Sequence, residues 1–376
     1  MSYVCCIVRS LETLRGYRDE LARVAEGPGA ASGIVQHPDW IAYEVESRRD
    51  GTVPHLIVVR DAGGRVVGYA PLLAIEHTAR LDLAGRRVRL YRGAALRLLG
   101  SGVVAGEAER GVVSVAVSRQ LAGDSSVRVV RVQEADLPNP FADSLTRGGF
   151  RTVAAHLLDQ LHWSIDPQVS SEAWLSAMDK KKRTDLTQRV GRAYRKLGGD
   201  AALRTFDRPE DMPEYCRLMN EVYAKTWHHA DLPMDWEAPE RVALFERLAA
   251  ARQLIGHVVL RDGRPLAYVH GYRLGGTYLV DDLGYDEEVA KVGIGSVAVF
   301  QAVRALLDRF PGERISFGYG DNQYKRLLAT RAEACGSLYA VRATRATAGF
   351  RMYAPVRWIY RGLHRVRSDL RARRKG

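Results

Sequence analysis

Cysteine is scarce in this chain of 376 residues: Cys5, Cys6, Cys216 and Cys335 are all it has, and none stands in C-x-x-C spacing. That scarcity excludes a disulfide framework and a cysteine-built zinc site, and it predicts a reducing cytoplasm. Long apolar runs are missing as well. No uncharged stretch nears the roughly 18 apolar residues of a membrane span, so no integral membrane segment is expected. The opening MSYVCCIVRSLETLRGYRDE becomes charged before a signal-like apolar stretch can form. Acid is short relative to base, with 44 Asp+Glu against 56 Lys+Arg and a formal net charge of +12.

What is present suffices for a folded core. Hydrophobic residues make up 46% of the chain and charged residues 27%, and the length suits two domains. The positive charge is concentrated. Lys180 to Arg204 carries +7 and Arg357 to Gly376 another +7, which leaves the remainder at −2. A uniformly basic surface is thereby excluded, and two local anion-seeking patches replace it.

An internal echo organises the chain. LIVVRDAGGRVVGYAPLLAI (Leu56 to Ile75) is similar to HVVLRDGRPLAYVHGYRL (His257 to Leu274), and both read as hairpins around Asp-Gly-type turns. A repeat about 200 residues apart points to duplicated domains. The expected division is an N-terminal domain over 1–160, a second domain over 161–350 and a basic amphipathic tail over 351–376. After the second hairpin the pattern predicts a strand (Thr277 to Tyr285), a Gly loop, an apolar helix, a strand (Arg314 to Gly320), a helix over Asn322 to Ala334 and a strand over Ser337 to Ala343.

The loop between the first of these strands and the helix holds Gly293-Ile294-Gly295-Ser296. Backbone N–H groups freed at a helix start, with no Cβ in the way, can receive a phosphate. The loop lacks the third Gly of a dinucleotide fingerprint, and no Gly-Lys-Ser/Thr follows as in a Walker loop. A phosphate cradle of the acyl-CoA type fits what remains.

YDEEVAKVGIGSVAVFQAV, followed by FGYGDNQYKRLLA, resembles the BioF2-like (CelD/BcsL-type) acetyltransferases of the GNAT superfamily, relatives of the FemABX peptidyl transferases. The resemblance implies an α/β fold of tandem GNAT-like domains, with mixed central sheets flanked by helices. It sets Tyr285 and Asp286 on the family's Tyr-Asp pair, Gly295 on the loop Gly, and Gly320, Asp321, Tyr324 and Lys325 on the Gly-Asp-x-x-Tyr-Lys motif. Gly293 and Ile294 stand where the family has Ser-Pro. The basic stretch KKKRTDLTQRVGRAYRKLGG matches an Arg-rich helix of the same family, which makes Lys181, Arg183 and Arg189 candidates for an anionic substrate.

Acyl transfer to an amine needs a held ester or thioester, a deprotonated nucleophile and donors for the developing oxyanion. Candidate bases are His270 on the second hairpin strand and the Asp281-Asp282 pair on the next; alternation lets only one aspartate face the cleft, and Asp282 is favoured. Tyr324 is the candidate proton donor to the leaving thiolate. In TWHHADLP, adjacent histidines lack metal-ligand spacing, and His228 is read as lining a substrate loop. No metal is expected. The tail places Ile359, Leu363, Val366 and Leu370 at helical spacing among arginines, a pattern suited to an anionic membrane surface or to RNA.

Three functions are compatible with this reading. The first is cytoplasmic, biosynthetic N-acyl transfer from acyl-CoA to a small-molecule amine or amino sugar. The second is FemABX-like transfer from aminoacyl-tRNA, with the basic blocks on tRNA phosphates. The third is a binding protein that keeps the fold without catalysis.

Overall fold

The computed structural model describes the chain except for residues 1–2, 28–29, 31–32, 49, 84–85, 156–159, 198–200, 227–228, 230–232 and 363–376. Two compact units form, one from residues 1–161 with 333–376 and the other from 162–332.

The first unit opens with β1 (Val4–Val8), α1 (Leu11–Ala25) and α2 (Pro38–Glu46). Ser10 starts α1 by accepting the Thr13 N–H at 3.1 Å, which satisfies one of the helix's orphan donors. The short β2 (Val53–Pro54) leads to β3 (Leu56–Arg60) and β4 (Val66–Ala70), the hairpin expected from the sequence, joined by its Asp61 to Gly64 turn. Next comes a long ribbon of β5 (Leu72–Leu83) and β6 (Arg86–Leu98), then β7 (Val104–Ala105), α3 (Glu107–Gly123), β8 (Val129–Asp136), α4 (Pro140–Arg147) and β9 (Arg151–Ala154). One sheet runs β1-β3-β4-β7, and β6 pairs with β8 in parallel.

The second unit is led by β10 (Gln160–Ile165), α5 (Ser171–Ala177) and α6 (Lys180–Lys196). Asp179 caps α6 by accepting the N–H groups of Lys181 and Lys182 at 2.9 and 3.1 Å. Then follow β11 (Ala202–Phe206), α7 (Met212–Tyr223), α8 (Pro239–Ala250), β12 (Leu254–Arg261), β13 (Arg264–Leu274), β14 (Thr277–Tyr285), α9 (Ile294–Arg309), β15 (Arg314–Tyr319) and α10 (Gln323–Leu328). The sheet order is β11-β12-β13-β14-β15-β10. Its pairs are antiparallel except for β14 and β15, which run parallel because α9 crosses between them.

Helices cover both faces of this sheet. Val190 and Ala193 of α6 pack with Val297, Val303 and Leu306 of α9 against Val259, Val269, Val280 and Phe317 of the strands. On the other face α7 and α8 lie over β12 and β13. Both units repeat one order: strand, two helices, hairpin, further strand, helix, strand, helix. The β5–β6 ribbon is the elaboration of the first copy.

The chain then returns to the first unit as β16 (Arg331–Val341), which pairs with β8 and β9. This differs from the sequence expectation in two ways. The helix expected over Asn322 to Ala334 stops at Leu328, because Ala329 turns to extended backbone and β16 starts within the remaining stretch. The strand expected to close the second domain instead joins the first unit, where Val341 sits opposite Val129 and Arg151. The last described helix, α11, covers residues 353–362.

Candidate active site

The parallel ladder between β14 and β15 is short. Thr277, Tyr278 and Leu279 pair with Arg314, Ile315 and Ser316, and beyond Leu279 the pairing stops although both strands continue. Up to Tyr285, β14 stays paired to β13, with an irregularity between His270 and Gly271. The two strands therefore part, and the gap between them is a cavity of about 470 Å³. Val280 to Leu283 and Tyr285 form one wall. Phe317, Asn322, Gln323, Tyr324 and Lys325 form the other, and Ala290, Gly293, Gly295 and Ser296 close the end. The volume lies in the usual range for small-molecule sites.

The Gly loop meets the helix start as the sequence suggests. Gly293 takes φ +88°, a conformation that excludes most side chains, and its carbonyl accepts the N–H groups of Ser296 and Val297 at 3.1 and 3.2 Å. The N-cap residue of α9, Gly293, has no side chain to cap the helix, whose start, the positive end of its dipole, lies at the cavity. Gly295 is required for another reason. A Cβ there would lie 2.9 Å from Cδ1 of Tyr285, whose ring lines the cavity. Ile294, expected in the cradle, does not line the cavity: its side chain is buried in the core.

Asp282 and Tyr324 share this cavity. The Asp282 carboxylate accepts the Tyr268 hydroxyl at 2.7 Å through Oδ2 and its own neighbour's N–H, from Leu283, at 2.9 Å through Oδ1. Tyr324 packs edge-on against Phe317, with ring centroids 5.9 Å apart. Burial, with the Asp282 charge added, pushes the Tyr324 phenol up to about 12. It is held protonated, as a proton donor must be.

Other candidates fall elsewhere. His270 was expected as a base, but it is fully buried, with Nδ1 3.0 Å from the Tyr215 hydroxyl and Nε2 2.8 Å from that of Tyr272. Both ring nitrogens are engaged, and burial pushes the imidazole down to about 3. His270 is a core group stacked on Phe245 at 4.8 Å, not a catalytic base. Asp321 lies outside the cavity and is paired with Arg326, which holds its carboxyl below the usual range. Asp286 is buried and pairs with Arg264 at 2.6 Å while accepting the Glu288 N–H at 2.9 Å, so it braces the loop.

Lys325 lines the cavity, and its ammonium donates to the Tyr319 carbonyl at 2.6 Å. Lys181, Arg183 and Arg189 do not reach the cavity. They lie on α6, whose Ala193 faces Gly293, and Arg183 donates to the Leu175 carbonyl at 3.5 Å. His228 is outside the described residues. No cluster of metal-ligating side chains occurs among the described residues, and Cys216 and Cys335 are buried.

Sequence reasoning missed Tyr268, which holds Asp282, and the lining residues Val280, Leu283, Ala290, Phe317, Asn322 and Gln323. Strand register could have found Tyr268, because it faces Gly284 and so lies on the same side of the sheet as Asp282. The others belong to ordinary strand and helix patterns without a chemical signature.

The site is a cavity where the parallel central strands of a mixed sheet part beside the start of α9. Residues 180–326 match the family model of the acetyltransferase (GNAT) domain, so this segment is a GNAT domain. A search of curated protein sequences finds no match. Among solved structures the chain is similar to FemX, at 10% identity and TM-score 0.60 over 91% of this chain and 97% of that one. It is also similar to the C-terminal domain of a candidate lysylphosphatidylglycerol synthetase from Agrobacterium fabrum (13% identity, TM-score 0.56, 91% and 96% covered). A third likeness is to L-PGS from Bacillus licheniformis (12% identity, TM-score 0.52, 94% and 96% covered). At such identities these likenesses establish the fold alone. No described helix is long and apolar enough to cross a membrane.

Proposed function

We propose that this protein transfers an acyl group from an acyl-CoA thioester to the amine of a small molecule, within the gap between β14 and β15. The observation that carries this reading is the end of strand pairing at Leu279 and Ser316 beside an uncapped helix start. Backbone amides of β14 beyond Leu279 that no longer pair with β15 offer hydrogen bonds to an extended pantetheine arm. The N–H groups at the start of α9 offer them to the pyrophosphate. The amine nitrogen bonds to the thioester carbon, and the carbon–sulfur bond breaks. Asp282, directly or through a water, takes the amine proton, and Tyr324 gives its proton to the departing thiolate and regains one from solvent.

A second reading replaces the thioester with an aminoacyl-tRNA ester. It is favoured by the exposed basic face of α6 and by the FemX-like fold over nearly the whole chain. The lysylphosphatidylglycerol synthetase likeness adds an acceptor class to that reading, a lipid headgroup.

Calorimetry with acetyl-CoA and longer acyl-CoAs, followed by thiol release with a panel of amines, tests the leading reading. Saturable binding and amine-dependent release are expected. Absence of CoA binding, with saturable transfer from charged tRNA that weakens steeply with salt, would replace it by the second reading.

A further inference from the structure

Helix α11 is fastened to the first unit through Tyr353 and Val356. Tyr353 is buried, its hydroxyl donates to the Arg80 carbonyl at 3.1 Å, and its ring stacks on Phe350 at 6.1 Å. Val356, one turn on, packs against the same core as Leu81, Tyr91 and Tyr339. The opposite side carries Pro355, Trp358, Ile359 and Gly362, at i, i+3, i+4 and i+7, and all four are exposed. Trp358 is 78% exposed and Ile359 53%, with Met352 at 47% in the turn that leads into the helix.

This inverts the usual surface helix. Apolar residues at helical spacing normally face the core, and a contiguous exposed set marks an interaction surface.

The charge around the stripe selects the partner. Arg345 and Arg351 are exposed just before the helix, and Arg357 and Arg361 flank its stripe. No Asp or Glu occurs between Glu333 and Asp369, and Arg357 to Gly376 carries +7 in sequence. An apolar stripe bordered by arginines, with Trp358 and Tyr360 as amphipathic aromatics, matches the boundary between lipid headgroups and acyl chains. A nucleic acid would use the arginines but has no complement for Met352 and Ile359.

We propose that α11 is a docking element for the surface of an anionic phospholipid bilayer. Met352, Trp358 and Ile359 enter the headgroup boundary, and the exposed Arg345 and Arg351 meet lipid phosphates. The proposal stands on the first unit and is independent of the donor used in the second.

The test is co-sedimentation of the full-length protein with phosphatidylcholine vesicles, with and without about one third phosphatidylglycerol. Trp358→Ser/Ile359→Ser, Arg351→Glu and a chain ending at Gly362 are compared, each checked for an unchanged thermal melt. Binding is expected only to the anionic vesicles, weakened about tenfold or more by the double substitution. The shortened chain should retain a fraction of binding that the same double substitution removes. Binding that the double substitution leaves intact, or that vanishes entirely with the residues after Gly362, would overturn the proposal. Failure of the wild type to bind anionic vesicles, with retention of RNA unaffected by the double substitution, would overturn it in favour of a nucleic-acid surface.

Discussion

The Tyr268 hydroxyl lies 2.7 Å from Oδ2 of Asp282, so a phenol on β13 holds the carboxylate that faces the β14–β15 gap. A hydrogen bond donated to a carboxylate fixes its orientation. Tyr268→Phe removes that donor without removing the ring. Turnover should then fall by about tenfold, with the melting temperature changed little. Unchanged turnover would show that Tyr268 does not position Asp282 for the reaction.

Tyr324→Phe keeps the packing against Phe317 but loses the proton donor. Turnover should fall by about 10²-fold, and Asp282→Asn by a similar factor, the scale typical of general acid and base groups. Acyl-donor binding measured by calorimetry should change little in either. If both variants turned over like the wild type, neither group would act in the reaction.

Gly295→Ala tests the loop. Its new Cβ would meet the Tyr285 ring at 2.9 Å and push it into the cavity. Donor affinity should drop on the order of tenfold or more, since small displacements at such sites are costly. Gly312→Ala, at φ +83° with open space around it, is the control: some loss of stability from backbone strain, no loss of affinity.

The buried histidines of the second unit make its stability depend on pH. Burial holds His270 at about 3 and His257 at about 4, whereas the unfolded chain binds these protons near 6.5. Below 6.5 the unfolded state therefore takes up protons that the folded state refuses. The stabilisation is complete above about 6.5 and is lost as pH falls towards the folded values, by about 1.4 kcal/mol per pH unit for each histidine. Urea denaturation between pH 4 and 7, roughly that window, should show this slope. His270→Phe, which removes one of the two titrations, should reduce it, and an unchanged slope would count against the assignment.

The nearest-neighbour pattern carried much of the second unit. Alternating apolar residues around Asp262-Gly263 specify a hairpin, and β14 runs over Thr277 to Tyr285 as its composition predicts, because a strand's period is local. Gly293 and Gly295 mark the helix entry for an equally local reason, the backbone and space that a Cβ would deny. Tyr324 and Asp282 were legible as chemistry, and the cavity between them follows from where the parallel ladder stops.

Which polar groups share a space was not local. His270 and Asp282 sit opposite each other in register, yet one is sealed by Tyr215, Tyr272 and Phe245 while the other reaches the cavity. Sealing depends on α7 and α8, which pack over the strands from elsewhere in the chain. Likewise, Ser337 to Ala343 reads as a strand from its own residues, but only the pairing of β16 with β8 and β9 assigns it to the first unit. By itself the sequence determined most of the second unit's elements and the Gly loop, and it brought Asp282 and Tyr324 forward as candidates. The tertiary structure decided which faces are buried and where the strands part, because burial and pairing are set by partners distant in sequence.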